Sequence, residues 1–202
     1  MKNSGPLWPV WALGCGVVLA GLALLIDAPL TAWTTSDPVR RVLEKAIALP
    51  LAVGIYAVVV AILASFPNAK RLCGVFLAAV IVSGGLTHLL KWAIGRARPL
   101  ADLGAWHFRP FAGGEYLDAF PSGHSAGAAT LALLLGLYFP RARWIFYVLA
   151  LCIGVERIVT RWHYGSDVLA GWVLAGAVVF AFVRLLGPGW FTIQTTSDRP
   201  LT

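Results

Sequence analysis

Charged residues are scarce in this sequence of 202 residues. They make up 12% of it, about half the share of about 25% that is usual in soluble domains. Hydrophobic residues make up 59%, and the mean hydropathy is +0.78. This balance excludes an ordinary soluble domain and predicts an integral membrane protein. Because one helical span takes about 20 apolar residues, we expect about six spans and no separate soluble domain.

Cysteine is also scarce. Cys15, Cys73 and Cys152 lie far apart within apolar stretches, with neither a C-x-x-C motif nor a Cys/His ligand spacing. We therefore expect small core side chains rather than a disulfide or a zinc site. Carboxylates likewise form no cluster of the kind that binds Mg²⁺ or Zn²⁺. The sequence predicts metal-free chemistry and no cofactor.

The apolar residues fall into six runs without strand-like alternation. Because a segment in lipid must satisfy its own backbone hydrogen bonds, such runs predict helices rather than a barrel. The expected fold is an all-α integral membrane bundle of six transmembrane helices, one domain over residues 1–202 with a polar tail at 188–202. The first run is longer than the core of a signal peptide and predicts a retained helix. The runs cover about residues 8–26, 43–66, 72–94, 123–139, 143–161 and 167–186.

Three connecting features are predicted. Ser36 and Asp37 are candidate N-caps for the second helix, with Pro38 at its first turn, and Pro50 is expected to kink that helix. The connection at residues 95–120 mixes charges with aromatic side chains, which is typical of the headgroup region. We interpret it as an interfacial loop or lid.

The net charge of +7 is explained better by membrane topology and anionic phospholipid than by nucleic acid, because the basic residues lie at the ends of apolar runs or between them. Six spans would put both termini on one side of the membrane. That side carries seven of the 16 Lys and Arg residues but only one of the nine Asp and Glu residues, Asp198. We expect this side to be cytoplasmic.

Polar residues concentrate in three segments, at residues 91–99, 121–124 and 156–167. The first ends the third run, the second begins the fourth, and the third joins the fifth run to the sixth. Since successive spans alternate in direction, all three segments are expected at the same membrane face. Together they predict one site, on the face opposite the termini.

The cations of this site indicate a phosphate ligand. Lys91, Arg98 and Arg157 have no excess of acid nearby, and arginine side chains match the geometry of phosphate oxygens. Ser122 and Gly123 open the fourth helix, where backbone N–H groups and the Ser122 hydroxyl would contribute further donors. We expect these five residues to bind phosphate.

Two histidines supply the reactive groups. His163 precedes Asp167 by four residues, which places the pair within reach of each other if the turn is helical. A carboxylate on one imidazole nitrogen leaves the other nitrogen available as a nucleophile. His124, beside the phosphate-binding turn, is placed to protonate a leaving group and later to activate water.

Each segment also has a purely structural interpretation. Lysine and arginine at the end of a span commonly extend to the interface, a His–Asp pair is often only a satisfied polar pair, and residues 121–124 make an ordinary turn into a helix. Gly123 and Gly127 are equally consistent with helix packing. His88 is expected to be a satisfied core histidine. The joint occurrence of three complementary segments on one face favours a functional site.

These residues resemble the three-part signature of the type 2 phosphatidic acid phosphatase (PAP2) superfamily of membrane phosphatases. The resemblance covers residues 91–167 and includes the order, the internal spacing and the six-span layout. The matching motifs are Lys91-x6-Arg98-Pro99, Pro121-Ser122-Gly123-His124 and Arg157-x5-His163-x3-Asp167.

The resemblance implies a metal-independent lipid phosphatase. His163 would attack phosphorus to form a phosphohistidine, Asp167 would orient it and His124 would protonate the leaving group. Bacterial members resembling this chain act on lipid phosphates or diphosphates at the outer face of the cytoplasmic (inner) membrane. Candidate substrates are undecaprenyl diphosphate, phosphatidylglycerophosphate, phosphatidic acid and the lipid A phosphate, so the expected partners are a lipid substrate and the bilayer, not nucleic acid.

One position departs from the family pattern. Glu156 stands where the family usually has serine, and its carboxylate would repel a bound phosphate unless it is turned away, protonated or paired with Arg161 or Arg157. Two other functions remain open: a phosphotransferase that passes the phosphoryl group to a second lipid, and a lipid or anion transporter. For headgroup contacts, the candidates are Arg40, Arg41 and Arg109.

Overall fold

The computed structural model describes residues 8–31, 53–114 and 116–194. Within these residues the regular structure is helical, as predicted, apart from one isolated bridge between Arg96 and Phe108. Six helices form the fold, and short 3₁₀ turns lie at Pro99–Ala101 and Pro188–Phe191. The helices are α1 (Trp8–Thr31), α2 (Val53–Ala64 in its described part), α3 (Ala69–Ile94), α4 (Gly123–Tyr138), α5 (Arg143–Val159) and α6 (Gly165–Leu186).

The predicted apolar runs correspond to these helices with shifts of a few residues at most ends. The first helix is longer at its C-terminal end than the predicted run. It continues past Ile26 to Thr31 and therefore includes an acidic residue, Asp27. The predicted caps at 36–38, the kink at Pro50, and Arg40 and Arg41 lie outside the described residues.

Two of the described helices, α3 and α6, are long and apolar enough to cross a membrane by length and composition. Helices α4 and α5 have 16 and 17 residues, fewer than the roughly 20 that a perpendicular span requires. The six-span layout therefore remains a prediction.

The apolar core lies at the end of the bundle that is remote from the three polar segments. It joins the end of α2 and the start of α3 to the C-terminal halves of α4 and α6, and the second 3₁₀ turn packs against it. Towards the middle, Thr130 Oγ1 of α4 lies 2.9 Å from Ser83 Oγ of α3. The fully buried members of this core are Leu63, Leu72, Phe76, Ala79 and Leu134.

The outer faces of the helices are apolar and exposed, for example at Ile81, Ile145 and Leu185. Patches of this extent are rare on soluble monomers and are suited to contact with lipid. Two expectations fail on these faces. Cys15 and Cys152 are exposed rather than in the core, and so is His88, because each projects from a side of its helix that no described helix covers.

Helix α6 is central, since it packs against α1, α3, α4 and α5. Its approach to α4 depends on Gly171, where an added Cβ would lie 2.7 Å from Ser122 O and 3.1 Å from Ala126 N. Ser122 N also donates to Asp167 O at 2.9 Å. This close contact holds the start of α4 against the start of α6.

Replacing Gly171 by alanine is expected to force α6 away from α4 and to destabilise the protein by about 1–3 kcal/mol, the usual cost of overpacking. Thermal unfolding in detergent measures the effect. Gly84→Ala is the matched control, because nothing lies within 4 Å of an added Cβ at that position. Equal midpoints for the two variants would contradict the close packing of α4 on α6.

Candidate active site

The first part of the site is the end of α3. Lys91 lies in the last turn of that helix, and Gly95 ends it in the left-handed conformation with φ 60°. A side chain at Gly95 would clash with Arg109 O, which lies 1.9 Å from the position of an added Cβ. Glycine is therefore required where the chain turns from Lys91 towards Arg98.

The segment after Gly95 is held on both sides by the long connection. On one side Ala97 N donates to His107 O at 2.9 Å, and on the other Ala119 N donates to Arg96 O at 3.0 Å. Arg98 N donates to Tyr116 O at 2.8 Å. Residues 95–120 thus form a loop folded back on the motif. Its aromatic side chains at Trp106, Phe108, Phe111 and Tyr116 are exposed, as expected for an interfacial loop.

The second part is the N-terminus of α4. Ser122 is its N-cap and accepts hydrogen bonds from Ser125 N and Ser125 Oγ at 3.4 and 2.9 Å. Gly123 packs beside Lys91, whose Cε would lie 3.7 Å from an added Cβ. His124 follows and is exposed. The structure therefore brings the predicted phosphate-binding turn next to the lysine of the first motif.

The third part is the buried turn between α5 and α6, which carries His163. Its Nδ1 lies 2.8 Å from Ala119 O and 3.6 Å from Asp167 Oδ2. A carbonyl oxygen only accepts, so Nδ1 carries the proton and Nε2 carries the lone pair. The His–Asp proximity agrees with the sequence interpretation. The close hydrogen bond to the ring, however, is made by the backbone of the loop.

Electrostatics keep this imidazole neutral. Burial lowers the pKa of His163 well below its ordinary value of 6.5, and the positive charges of Lys91 and Arg98 and the neighbouring His124 lower it further. A neutral ring with the lone pair on Nε2 is the nucleophilic form. Burial and the same cations that would hold an anion therefore keep the His163 imidazole unprotonated.

Asp118 is a carboxylate that the sequence analysis did not include in the site. It accepts hydrogen bonds from Arg98 Nε and Arg98 Nη2, both at 2.6 Å. Lys91 Nζ donates to the Asp118 backbone carbonyl and lies 3.8 Å from Asp118 Oδ2. The two cations of the first motif therefore share an internal counterion, and its side chain is 39% exposed.

Glu156 is paired with Arg157, one of the two cations that the sequence allowed: Arg157 Nε donates to Glu156 Oε2. Arg161 instead donates to Asp102 Oδ1 at 2.6 Å and to Pro99 O at 3.2 Å. Arg161 thereby ties the turn that carries His163 to the first motif. The pairing with Arg157 explains how the site accommodates a carboxylate at position 156.

The three predicted segments lie at one end of the bundle. They are placed there by α3, α4 and α6, together with the loop at residues 95–120 and the turn after α5. The sequence did not identify Asp118 and Arg96 as residues of the site, although each lies within four residues of a motif residue. A further buried acid, Asp27, lies far away in the sequence, directly after the first apolar run. The signal available in the sequence was an acidic residue at the end of a membrane-length apolar stretch.

Among the described residues, no three His, Cys, Asp or Glu side chains are grouped so that they could hold a metal ion. Lys91 and Arg98, which share the Asp118 carboxylate, lie close enough to His163 for their charges to act on its ring. Arg157, which pairs with Glu156, lies in the last turn of the helix that leads into the turn of His163. Such a set, beside a helix N-terminus and a neutral imidazole, is suited to bind an oxyanion and attack it.

The sequence is similar to known proteins. Residues 72–190 match the model of the PAP2 superfamily. The chain is 40% identical over 123 residues to a lipid A 1-phosphatase of Rhizobium etli, covering 55% of this chain and 53% of that protein. A lipid A 1-phosphatase of Rhizobium johnstonii is 42% identical over 123 residues, with 55% and 50% covered. The chain thus spans about half the length of these curated relatives.

A solved structure has a similar fold. It is a transmembrane PAP2-type phosphatidylglycerolphosphate phosphatase from Bacillus subtilis, with a TM-score of 0.52 and 20% identity. The match covers 90% of this chain and 96% of that one. At this identity the likeness concerns the fold alone.

Proposed function

The chain belongs to the PAP2 superfamily, and we propose that it is a membrane-embedded lipid phosphatase that works through a phosphohistidine without a metal. The observation that carries the proposal is the state of His163. Its Nδ1 proton is directed to Ala119 O, and its pKa is lowered by burial and by the cations of the first motif. A neutral nucleophile is thereby held beside a phosphate-binding set.

In the first step Lys91, Arg98 and Arg157 hold the phosphate oxygens together with the first N–H groups of α4. His163 Nε2 attacks phosphorus, and the bond from phosphorus to the leaving oxygen breaks. His124 gives a proton to that oxygen, so the lipid leaves as an alcohol or, from a diphosphate, as a monophosphate. Asp167 compensates the positive charge that develops on the His163 ring.

In the second step His124 takes a proton from water, and the water oxygen attacks phosphorus. The bond between phosphorus and His163 breaks, inorganic phosphate leaves, and the imidazole returns to its starting form. Ser122, with its hydroxyl at the helix N-terminus, and Gly123, with its exposed backbone, support the equatorial oxygens in both steps.

Among the four lipid classes, we rank the lipid A phosphate first, because the two relatives at 40% and 42% identity carry that name. The undecaprenyl, phosphatidylglycerophosphate and phosphatidic acid substrates follow. Phosphate release from all four, by detergent-solubilised protein in EDTA, tests the function and its order. Transfer to an added acceptor lipid without phosphate release would favour the phosphotransferase. Translocation without either reaction would favour a transporter.

For the whole chain we propose one domain over residues 1–202, with six spans, cytoplasmic termini and the site on the extracytoplasmic face of a bacterial inner membrane. The apolar outer faces and the polar end of the bundle support this arrangement. Single cysteines in place of Ala112, in the loop, and Lys70, at the opposite end, test it in a cysteine-free background. An impermeant thiol reagent applied to intact cells should label only the first.

Replacing Asp118 by asparagine is expected to tighten phosphate binding. Burial alone would raise the pKa of Asp118, but the hydrogen bonds and charge of Arg98 hold it below its ordinary value, so at neutral pH a carboxylate competes with phosphate for Arg98. The inhibition constant of inorganic phosphate should fall about tenfold, the scale of one hydrogen bond to a charged group.

The control for Asp118→Asn is Asp102→Asn. Asp102 also pairs with an arginine, Arg161, but its side chain is 73% exposed, and solvent screens such pairs. This control should leave inhibition by phosphate unchanged. Weaker inhibition of Asp118→Asn would mean that Asp118 positions Arg98 instead of competing with phosphate.

A further inference from the structure

Arg96 is a fully buried guanidinium that the phosphatase mechanism leaves unused. It lies between the two cations of the first motif, with 0% of its side chain exposed. Its Nη1 donates to Asp167 Oδ1 and Ser166 Oγ, both at 2.6 Å, and its Nη2 donates to Asp27 Oδ2 at 2.9 Å. Both Nε and Nη2 also reach Ala105 O, at 3.0 and 2.8 Å. Groups from α1, α6 and the loop thus surround one side chain.

Asp27 supplies the contribution of α1. Its carboxylate accepts from Ser166 N at 3.0 Å and from Ser166 Oγ, in addition to Arg96. It therefore caps the N-terminus of α6, where a negative charge is stabilised. Its neighbours Leu25 and Ile26 are exposed apolar residues. An acid within an apolar, membrane-length helix is costly and is commonly retained for function.

The charges do not cancel in this cluster. Two carboxylates, Asp27 and Asp167, share the single guanidinium of Arg96, which leaves one negative charge in excess. Asp167 Oδ2 presents that charge 3.6 Å from Nδ1 of His163. A positive charge develops on this imidazole when Nε2 binds phosphorus, and the excess negative charge stabilises it across a water-poor interior.

We propose that Asp27 and Arg96 are positioning residues for the phosphoryl transfer, so that α1 is part of the catalytic apparatus. Arg96 holds the Asp167 carboxylate towards His163, and Asp27 holds Arg96 and the start of α6. This inference rests on the proposed function. It assigns a role to a helix that precedes the region matched by the family model, residues 72–190.

The Asp27→Asn variant tests the proposal in the full-length protein. The neutral amide keeps the shape but removes one negative charge from the cluster of Asp27, Arg96 and Asp167. We expect kcat to fall on the order of 10²-fold, the scale of one lost preorganised electrostatic partner, with little change in KM. Asp102→Asn, which removes an exposed carboxylate, should keep the kcat of the wild type.

A pH profile separates positioning from folding. His163 faces cations from α3, the loop and α4, and carboxylates from the loop and α6. Removing one negative charge should move the acid limb of kcat/KM to lower pH, because the cations then lower the pKa of His163 further. A purely structural defect would leave this limb in place. The facing groups are Lys91, Arg98, His124, Asp118 and Asp167.

A double-mutant cycle supplies the decisive comparison. If Asp27 acts through Asp167, the fold-decrease of kcat in the double variant, Asp27→Asn with Asp167→Asn, should be smaller than the product of the fold-decreases in the two single variants. Arg96→Lys should also lose kcat, because an ammonium cannot bridge both carboxylates as the guanidinium does. Independent losses, or an Asp27→Asn variant with the wild-type kcat and pH profile, would overturn the proposal.

Folding is controlled separately. Ser166→Ala removes one partner of Asp27 and Arg96 while leaving both charges, and should give a partial loss of kcat with a normal unfolding midpoint. It keeps the proposal testable if Asp27→Asn does not fold, and a wild-type kcat in Ser166→Ala would then count against it. A wild-type protein inactive on all four lipids would refute the proposed function. An active wild type with an unaffected Asp27→Asn refutes only the present inference.

Discussion

The His163→Ala variant should release no phosphate from any lipid substrate, with turnover reduced by roughly 10⁴-fold or more, as when the nucleophile of a catalytic unit is removed. The physical reason is that in the proposed mechanism His163 Nε2 forms the bond to phosphorus, and His163 is the one histidine in the turn between α5 and α6. Lipid phosphate should still bind, because Lys91, Arg98 and Arg157 remain.

The phosphoenzyme gives the more direct measurement. Substrate labelled in its phosphate, quenched after a short reaction, should leave acid-labile, base-stable label on the wild-type protein and none on His163→Ala. The phosphorus–nitrogen bond of a phosphohistidine has this lability. The matched control is His88→Ala, since His88 is exposed on the outer face of α3. Normal turnover in His163→Ala, or label that survives acid, would contradict the mechanism.

The His124→Ala variant should lose activity in a way that depends on the leaving group. With a lipid phosphate the departing oxygen is a strongly basic alkoxide, so loss of the general acid should slow turnover about 10²–10⁴-fold. An aryl phosphate such as p-nitrophenyl phosphate leaves as a stable phenolate and needs no proton. Its first step should be nearly unaffected, provided that this small ester reaches the site.

The second step distinguishes His124 from a residue that only binds substrate. In the proposed mechanism His124 also activates water, so the phosphohistidine should accumulate in His124→Ala. With the aryl ester we expect a burst of about one nitrophenolate per protein, followed by slow release. His163→Ala serves as the control and should show no burst. Equal losses of activity with both classes of ester, and no burst, would remove His124 from the role of acid and base.

The site could be anticipated from the sequence to the extent that its chemistry is local. Lys91 lies in the last turn of one apolar helix and Arg98 on the segment that follows it, and Ser122 and His124 begin the next long helix. His163 and Asp167 lie close in sequence and are brought together by a single turn. Such arrangements need only helix periodicity and the alternation of spans. The pairing of Glu156 with Arg157 was one of the alternatives that the sequence left open, because the two residues are neighbours.

The contacts that could not be anticipated are those between distant segments. The Ala119 carbonyl that sets the tautomer of His163 is a backbone group, so no residue type in the sequence predicts it. Asp118 looked like one loop charge among several until the fold of residues 95–120 placed it on Arg98. The exposure of Cys15 and Cys152 depends on which helix faces lack a neighbour, which a hydropathy pattern does not specify.

The sequence by itself determined that this chain is helical and apolar and that its reactive groups belong to one end of the bundle, because hydropathy and residue type act within single segments. Only the tertiary structure decided how the charges in that end are balanced. Arg96 joins Asp27 of the first helix to Asp167 of the last, and Asp118 is the common counterion of Lys91 and Arg98. Each pairing depends on a distance through space, since a charge in a water-poor interior is stabilised by whichever group the fold brings against it.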